Sequence, residues 1–130
     1  MPETRHGHFH WNELMTWKVD EAREFYAQTL GWTYERFPMG DGGNYTVCMF
    51  GGEPVGGIFE MRKGQGMDQV PDHWFAYIAV DDIDARLKEV EAAGGTICRE
   101  PFDVPDVGRI SIVQDKAGAV VGWITPAEPG

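Results

Sequence analysis

The sequence predicts an α+β fold, two repeated βαβββ modules that close into a cupped, partly closed mixed β-barrel around a ligand pocket. Three observations predict it. Displacing the 130-residue chain by 64 residues, the step from Val19 to Ile83, brings its two halves into register. Each half then runs in the same order: strand, amphipathic helix, three strands. Glycine-rich joints fall at matching places in both.

The first half opens with a strand over about 9–15, where Trp11, Glu13 and Met15 share one face. A helix over about 19–30 follows, with Val19, Ala22, Phe25, Tyr26 and Leu30 at helical spacing. Gly31 stops it, and Trp32 seals its end. Three strands come next, over about 33–37, 45–50 and 54–61, jointed at 40–43 and 51–52. Gly56 and Gly57 in the last of them predict a tight bend or a close strand approach. The second half opens with a strand over about 74–80. Asp81 or Asp82 caps a helix over 83–93 whose apolar stripe is Ile83, Leu87 and Val90. Gly94 and Gly95 end it. Strands over about 96–99, 108–114 and 119–124 complete the set, and the stretch 100–107, with Pro101 and Pro105, reads as a loop. One domain spans 1–130: module one over about 6–62, a linker over 63–72 and module two over about 73–126.

Composition bounds the function. Charged residues make up 25% and hydrophobic ones 42%, an ordinary globular balance. With 21 acidic against 11 basic residues the net charge is −10, a surface that repels phosphate backbones and argues against nucleic acid as a partner. No apolar run reaches the roughly 20 residues a membrane helix needs, and no signal segment opens the chain, so a cytoplasmic protein is expected. Cys48 and Cys98 show no metal-type spacing and are expected as buried thiols.

Three motifs carry a family resemblance. They are Asp20-Glu21-Ala22-Arg23-Glu24-Phe25-Tyr26 with Leu30-Gly31-Trp32, then Tyr77-Ile78-Ala79-Val80-Asp81-Asp82-Ile83-Asp84, and the turn Gln114-Asp115-Lys116-Ala117-Gly118. Through them nearly the whole chain resembles the vicinal oxygen chelate superfamily, the glyoxalase I, bleomycin-resistance and extradiol dioxygenase group. The resemblance implies a homodimer and a small-molecule ligand. It also implies a divalent metal at four inward positions, on the first and last strand of each half, where the ion serves as a Lewis acid.

Carried over position by position, those sites fall on Trp11, on Ile58 or Glu60, on Phe75 and on Gly122. At most one of the four offers a ligand atom, so no metal cofactor is expected. The alternative is one divalent ion held by His10, Glu60 and His73, should the pleat lie one residue away. The expected ligand-binding set is Trp11, Glu13, Ile58, Glu60, Phe75, Tyr77 and Gly122, with Trp123 nearby. Glu13 and Glu60 are expected to project inward together. There each is either a base or cation binder, or a carboxylate satisfied by an arginine such as Arg62 or Arg109. His6, His8 and His10 alternate on the strand face turned away from the pocket, and His73 is expected to make a strand-end hydrogen bond. The resulting reading is a small-molecule binder without the usual metal ligands, suited to a cationic or aromatic compound. The alternative is a divergent lyase, isomerase or dioxygenase.

Overall fold

The computed structural model describes residues 5–38, 44–64 and 66–127. Its elements run β1 (Phe9–Thr16), α1 (Val19–Leu30), β2 (Thr33–Pro38), β3 (Asn44–Phe50), β4 (Glu53–Glu60), β5 (His73–Ala79), α2 (Ile83–Leu87), β6 (Thr96–Val104), β7 (Gly108–Gln114) and β8 (Val120–Pro126). This is the βαβββ order twice, as the repeat predicts. Among the described residues no helix is long and apolar enough to cross a membrane.

The chain divides into two compact units. One comprises Trp11–Phe75; the other joins residues 5–10 to 76–127. The boundary therefore falls inside β1 and inside β5. The predicted linker over 63–72 groups with the first unit.

In the Trp11–Phe75 unit, here module one, the strand order is β2-β3-β4-β1. β3 runs antiparallel to both its neighbours, while β1 lies parallel to β4 with Leu14 opposite Ile58. Leu14, Cys48 and Ile58 form the core against Val19, Ala22, Tyr26 and Trp32 of the α1 side. Phe25 and Leu30 belong to the same periodic pattern but stay exposed. Gly31 ends the helix as expected, at φ 77° with its N–H on the Ala27 carbonyl at 3.1 Å.

In the other unit, module two, the order is β5-β8-β7-β6. Gly7 donates to the Ala79 carbonyl and Ala79 donates to that of His8, both at 2.8 Å, which fastens the first described residues to this unit. Its core is Val80, Ile83, Leu87, Val90 and Val113, with Val121 and Trp123 packed on it. Trp123 thus lies beneath α2, not beside the expected ligand set.

Two predicted elements change length. α2 is capped by the Asp82 carboxylate, which accepts from the Ala85 amide at 3.2 Å, but its α-helical part ends at Leu87. Beyond it the chain tightens into turns, with Glu89 on Arg86 and Val90 on Leu87; Val90 still reaches the core. β6 continues to Val104 through Pro101. An edge strand tolerates that proline, and its register against β7 shifts between Arg99 and Phe102. Of the two free cysteines, Cys48 is buried as expected while Cys98 is exposed.

Candidate functional site

Strand pairing decides which side chains share a face. Leu14 and Ile58 point toward α1, so Glu13, opposite Gly57, and Met15, opposite Phe59, project from the other side of the module-one sheet. Trp11 shares that side. Tyr45 and Val47 join it from β3, because Val47 pairs with Gly57. Glu13 is only 7% exposed and is the one buried carboxylate among the described residues.

At the centre of this face the Trp11 indole Nε1–H donates to the Tyr45 hydroxyl at 3.0 Å. A Cβ on Gly57 would lie 1.7 Å from that hydroxyl. The glycine is therefore required, since the phenol occupies the space of a side chain. Gly56 is tight for a similar reason, with the Asn12 carbonyl 3.1 Å from its would-be Cβ. The close strand approach expected of this pair is met at Gly56, while at Gly57 the near neighbour is a side chain.

The sequence-predicted residues separate into groups. Trp11 and Glu13 come together with Tyr45 and Gly57. Tyr77 pairs with Gly122 in module two, and Phe75, buried, lies on the Tyr77 side of β5. Ile58 is a correction: at 1% exposure it belongs to the core under α1. Glu60 is corrected likewise. It pairs with Thr16, shares the face of Ile58 and is exposed, so it does not project beside Glu13. The cause is register: parallel pairing sets Gly57 beside Glu13, and one residue along a strand reverses the side. Arg109 is no partner for either glutamate, because it forks onto Asp84 at 3.0 Å and reaches Asp103 at 3.1 Å.

The histidines serve locally. His73 donates through Nδ1 to the Pro71 carbonyl at 2.8 Å, the strand-end bond expected of it. His6 accepts the Asp81 amide at Nδ1, 3.0 Å away. The same nitrogen lies 3.3 Å from the Asp81 carboxylate. Asp81 is held well below the usual carboxylate range by hydrogen bonds from Arg86. Burial, helped by Arg5, pushes the His10 pKa down. Among the described residues no group of three or more His, Cys, Asp or Glu side chains is placed to hold a metal ion. The Trp11–Glu13 face offers one buried carboxylate and one phenol.

A second concavity lies on the other side of the same sheet, under the first half of α1. It is an open groove of about 360 Å³ between Leu14 and Thr16 below, Phe25 and Tyr26 on the helix, and Asp72 and Trp74 at the start of β5. Sequence reading missed it. The visible signal was Trp74 beside Asp72, two residues whose polar atoms must find partners across the fold.

Comparison with known proteins gives a consistent picture. A family model described as Glyoxalase/Bleomycin resistance protein/Dioxygenase superfamily matches residues 7–122. CFP32 of Mycobacterium tuberculosis, provisionally named a glyoxylase, is 42% identical over 117 residues, 90% of this chain and 43% of that protein. The anthracycline biosynthesis protein DnrV of Streptomyces peucetius is 34% identical over 119 residues, 84% of this chain and again 43% of its own length. The chain thus spans less than half of these two relatives. A Vibrio cholerae protein provisionally named a lactoylglutathione lyase is 31% identical, with 82% of this chain and 81% of that protein covered. In structure, methylmalonyl-CoA epimerase from Mycobacterium tuberculosis superimposes with a TM-score of 0.68 at 16% identity, covering 98% of this chain and 93% of that one.

Proposed function

This chain belongs to the Glyoxalase/Bleomycin resistance protein/Dioxygenase superfamily, and from that premise we propose that it binds a small organic molecule on the Trp11–Glu13 face of module one, without a metal. The Tyr45 hydroxyl carries this reading. It fills the space that a side chain at position 57 would need and is tied to the Trp11 indole. A metal site requires convergent imidazole, thiolate or carboxylate donors; the aromatic pair Trp11 and Tyr45 supports the metal-free reading. A ligand suited to the face has a flat apolar part for Trp11 and a cationic or hydrogen-donating group for Glu13.

Metal analysis of the purified full chain after dialysis should find far less than one divalent ion per molecule. One tightly held equivalent overturns the metal-free reading. Aromatic amines titrated against the chain should move the Trp11 indole resonance, and Glu13→Gln should weaken that response. An unmoved Trp11 resonance with every amine overturns the ligand assignment.

The burial of Glu13 favours a second reading, a metal-free isomerase with this carboxylate as base. The relative provisionally named a lactoylglutathione lyase supports an enzymatic role. Under that reading Glu13→Gln abolishes turnover of a substrate while leaving the fold intact. We further propose that two copies pair in solution.

A further inference from the structure

We propose that the concavity under α1 is a separate binding site for a small organic ammonium cation bearing an aromatic or alkyl group. It lies on the opposite side of the sheet from Trp11 and Glu13, and it does not rest on the function proposed above.

The volume comes first. The groove of about 360 Å³ is open to solvent and has room to cover part of one small ring-bearing molecule. In a well-packed βα unit the helix closes down on the sheet, yet no residue of α1 is fully buried. The space left is walled by rings that remain open to solvent, Phe25 at 56% and Trp74 at 43% exposure. Large apolar rings exposed around a hollow mark a recognition surface more often than rings scattered singly.

The rings are also fixed in place. Trp74 donates its Nε1–H to the Tyr26 hydroxyl at 3.2 Å and meets the Tyr26 ring edge-on at 5.8 Å. Behind them Tyr26 stacks on Trp32 at 5.1 Å, and Phe25 meets Tyr26 edge-on at 5.0 Å. A ligand entering here orders little that is not already ordered.

Charge then selects the ligand. Asp72 lines the hollow with its carboxylate clasped by the Thr16 hydroxyl and, at 3.2 Å, by the Trp17 amide. Those donors fix its position without neutralising it. Glu21, in the first turn of α1, lines it as well. Neither carboxylate has a cation within ion-pairing reach among the described residues. Lys18 is the one ammonium on the lining, so carboxylates outnumber it two to one. Ring faces beside uncompensated negative charge attract a weakly hydrated cation and disfavour an anion of the same shape.

The test uses the full chain, labelled so that its five tryptophan indole N–H groups are observed separately. Benzyltrimethylammonium chloride is titrated at constant ionic strength, with sodium benzoate as the anionic counterpart. The Trp74 resonance is expected to shift saturably with the ammonium, with benzoate about tenfold weaker. The Trp11 resonance reports the opposite face and is followed separately from that of Trp74. Phe25→Ala, which removes one exposed ring of the wall and leaves the Trp74 reporter in place, should weaken the ammonium severalfold. Glu21→Gln, at an exposed helix position that leaves the fold intact, should weaken the ammonium by about threefold. Equal response to benzoate, an unmoved Trp74 resonance, or wild-type affinity in both variants overturns the proposal. A shift at Trp11 alone also overturns it, while supporting the site on the opposite face.

Discussion

Gly57 has no freedom to become anything larger. The Tyr45 hydroxyl stands where its first side-chain carbon would be, and that hydroxyl in turn holds the Trp11 indole. Gly57→Ala must therefore displace the phenol, and denaturant unfolding should register a loss of about 1–3 kcal/mol. An unchanged midpoint would show that the phenol moves at no cost. The two thiols differ as sharply. Burial pushes Cys48 up to about 11, while Cys98 is exposed. The thiolate is the reactive form, so at pH 8 a thiol reagent should titrate one cysteine in the folded chain and two in denaturant. Two fast-reacting thiols in the native protein would contradict the burial of Cys48.

At the scale of the element, what could be read from sequence was what is local. The periodicity of 19–30, the stop at Gly31 and the cap at Asp82 depend on neighbours a few residues away, and all three are present. Trp11 and Glu13 sit on one face because alternation within a single strand is also local. Ile58 and Glu60 were assigned to that face wrongly, because their side depends on how β4 meets β1, more than forty residues away in sequence. Between the two, β3 and β4 shift register at Cys48/Met49, and no local pattern announces such a bulge. The extension of β6 through Pro101 escaped for a related reason: proline argues against a strand unless the strand is known to be an edge. The hollow under α1 was illegible because it arises from incomplete contact between elements that were each predicted correctly.

For the molecule as a whole, the repeat was the strongest signal, and both βαβββ sets are there. The family model covers most of the chain, residues 7–122, yet the fold hosts many chemistries and does not choose among them. Assignment of function rests on the two faces of module one. Under the proposed pairing of two copies, light scattering of the full chain should return twice 14.6 kDa. A mass of 14.6 kDa itself rejects that pairing.

The fastening of Gly7 and His8 to Ala79 has a consequence for synthesis. At ribosomal speeds of about 5–20 residues per second, His8 emerges on the order of 4–14 s before the strand that will bind it is made. Through that interval module one can assemble, but the opening edge of β1 has no mate from its own unit. Any slowing of translation between the two halves lengthens the exposure of that edge. Changes to codon choice there would be felt as aggregation of the nascent chain, with the finished protein unaltered.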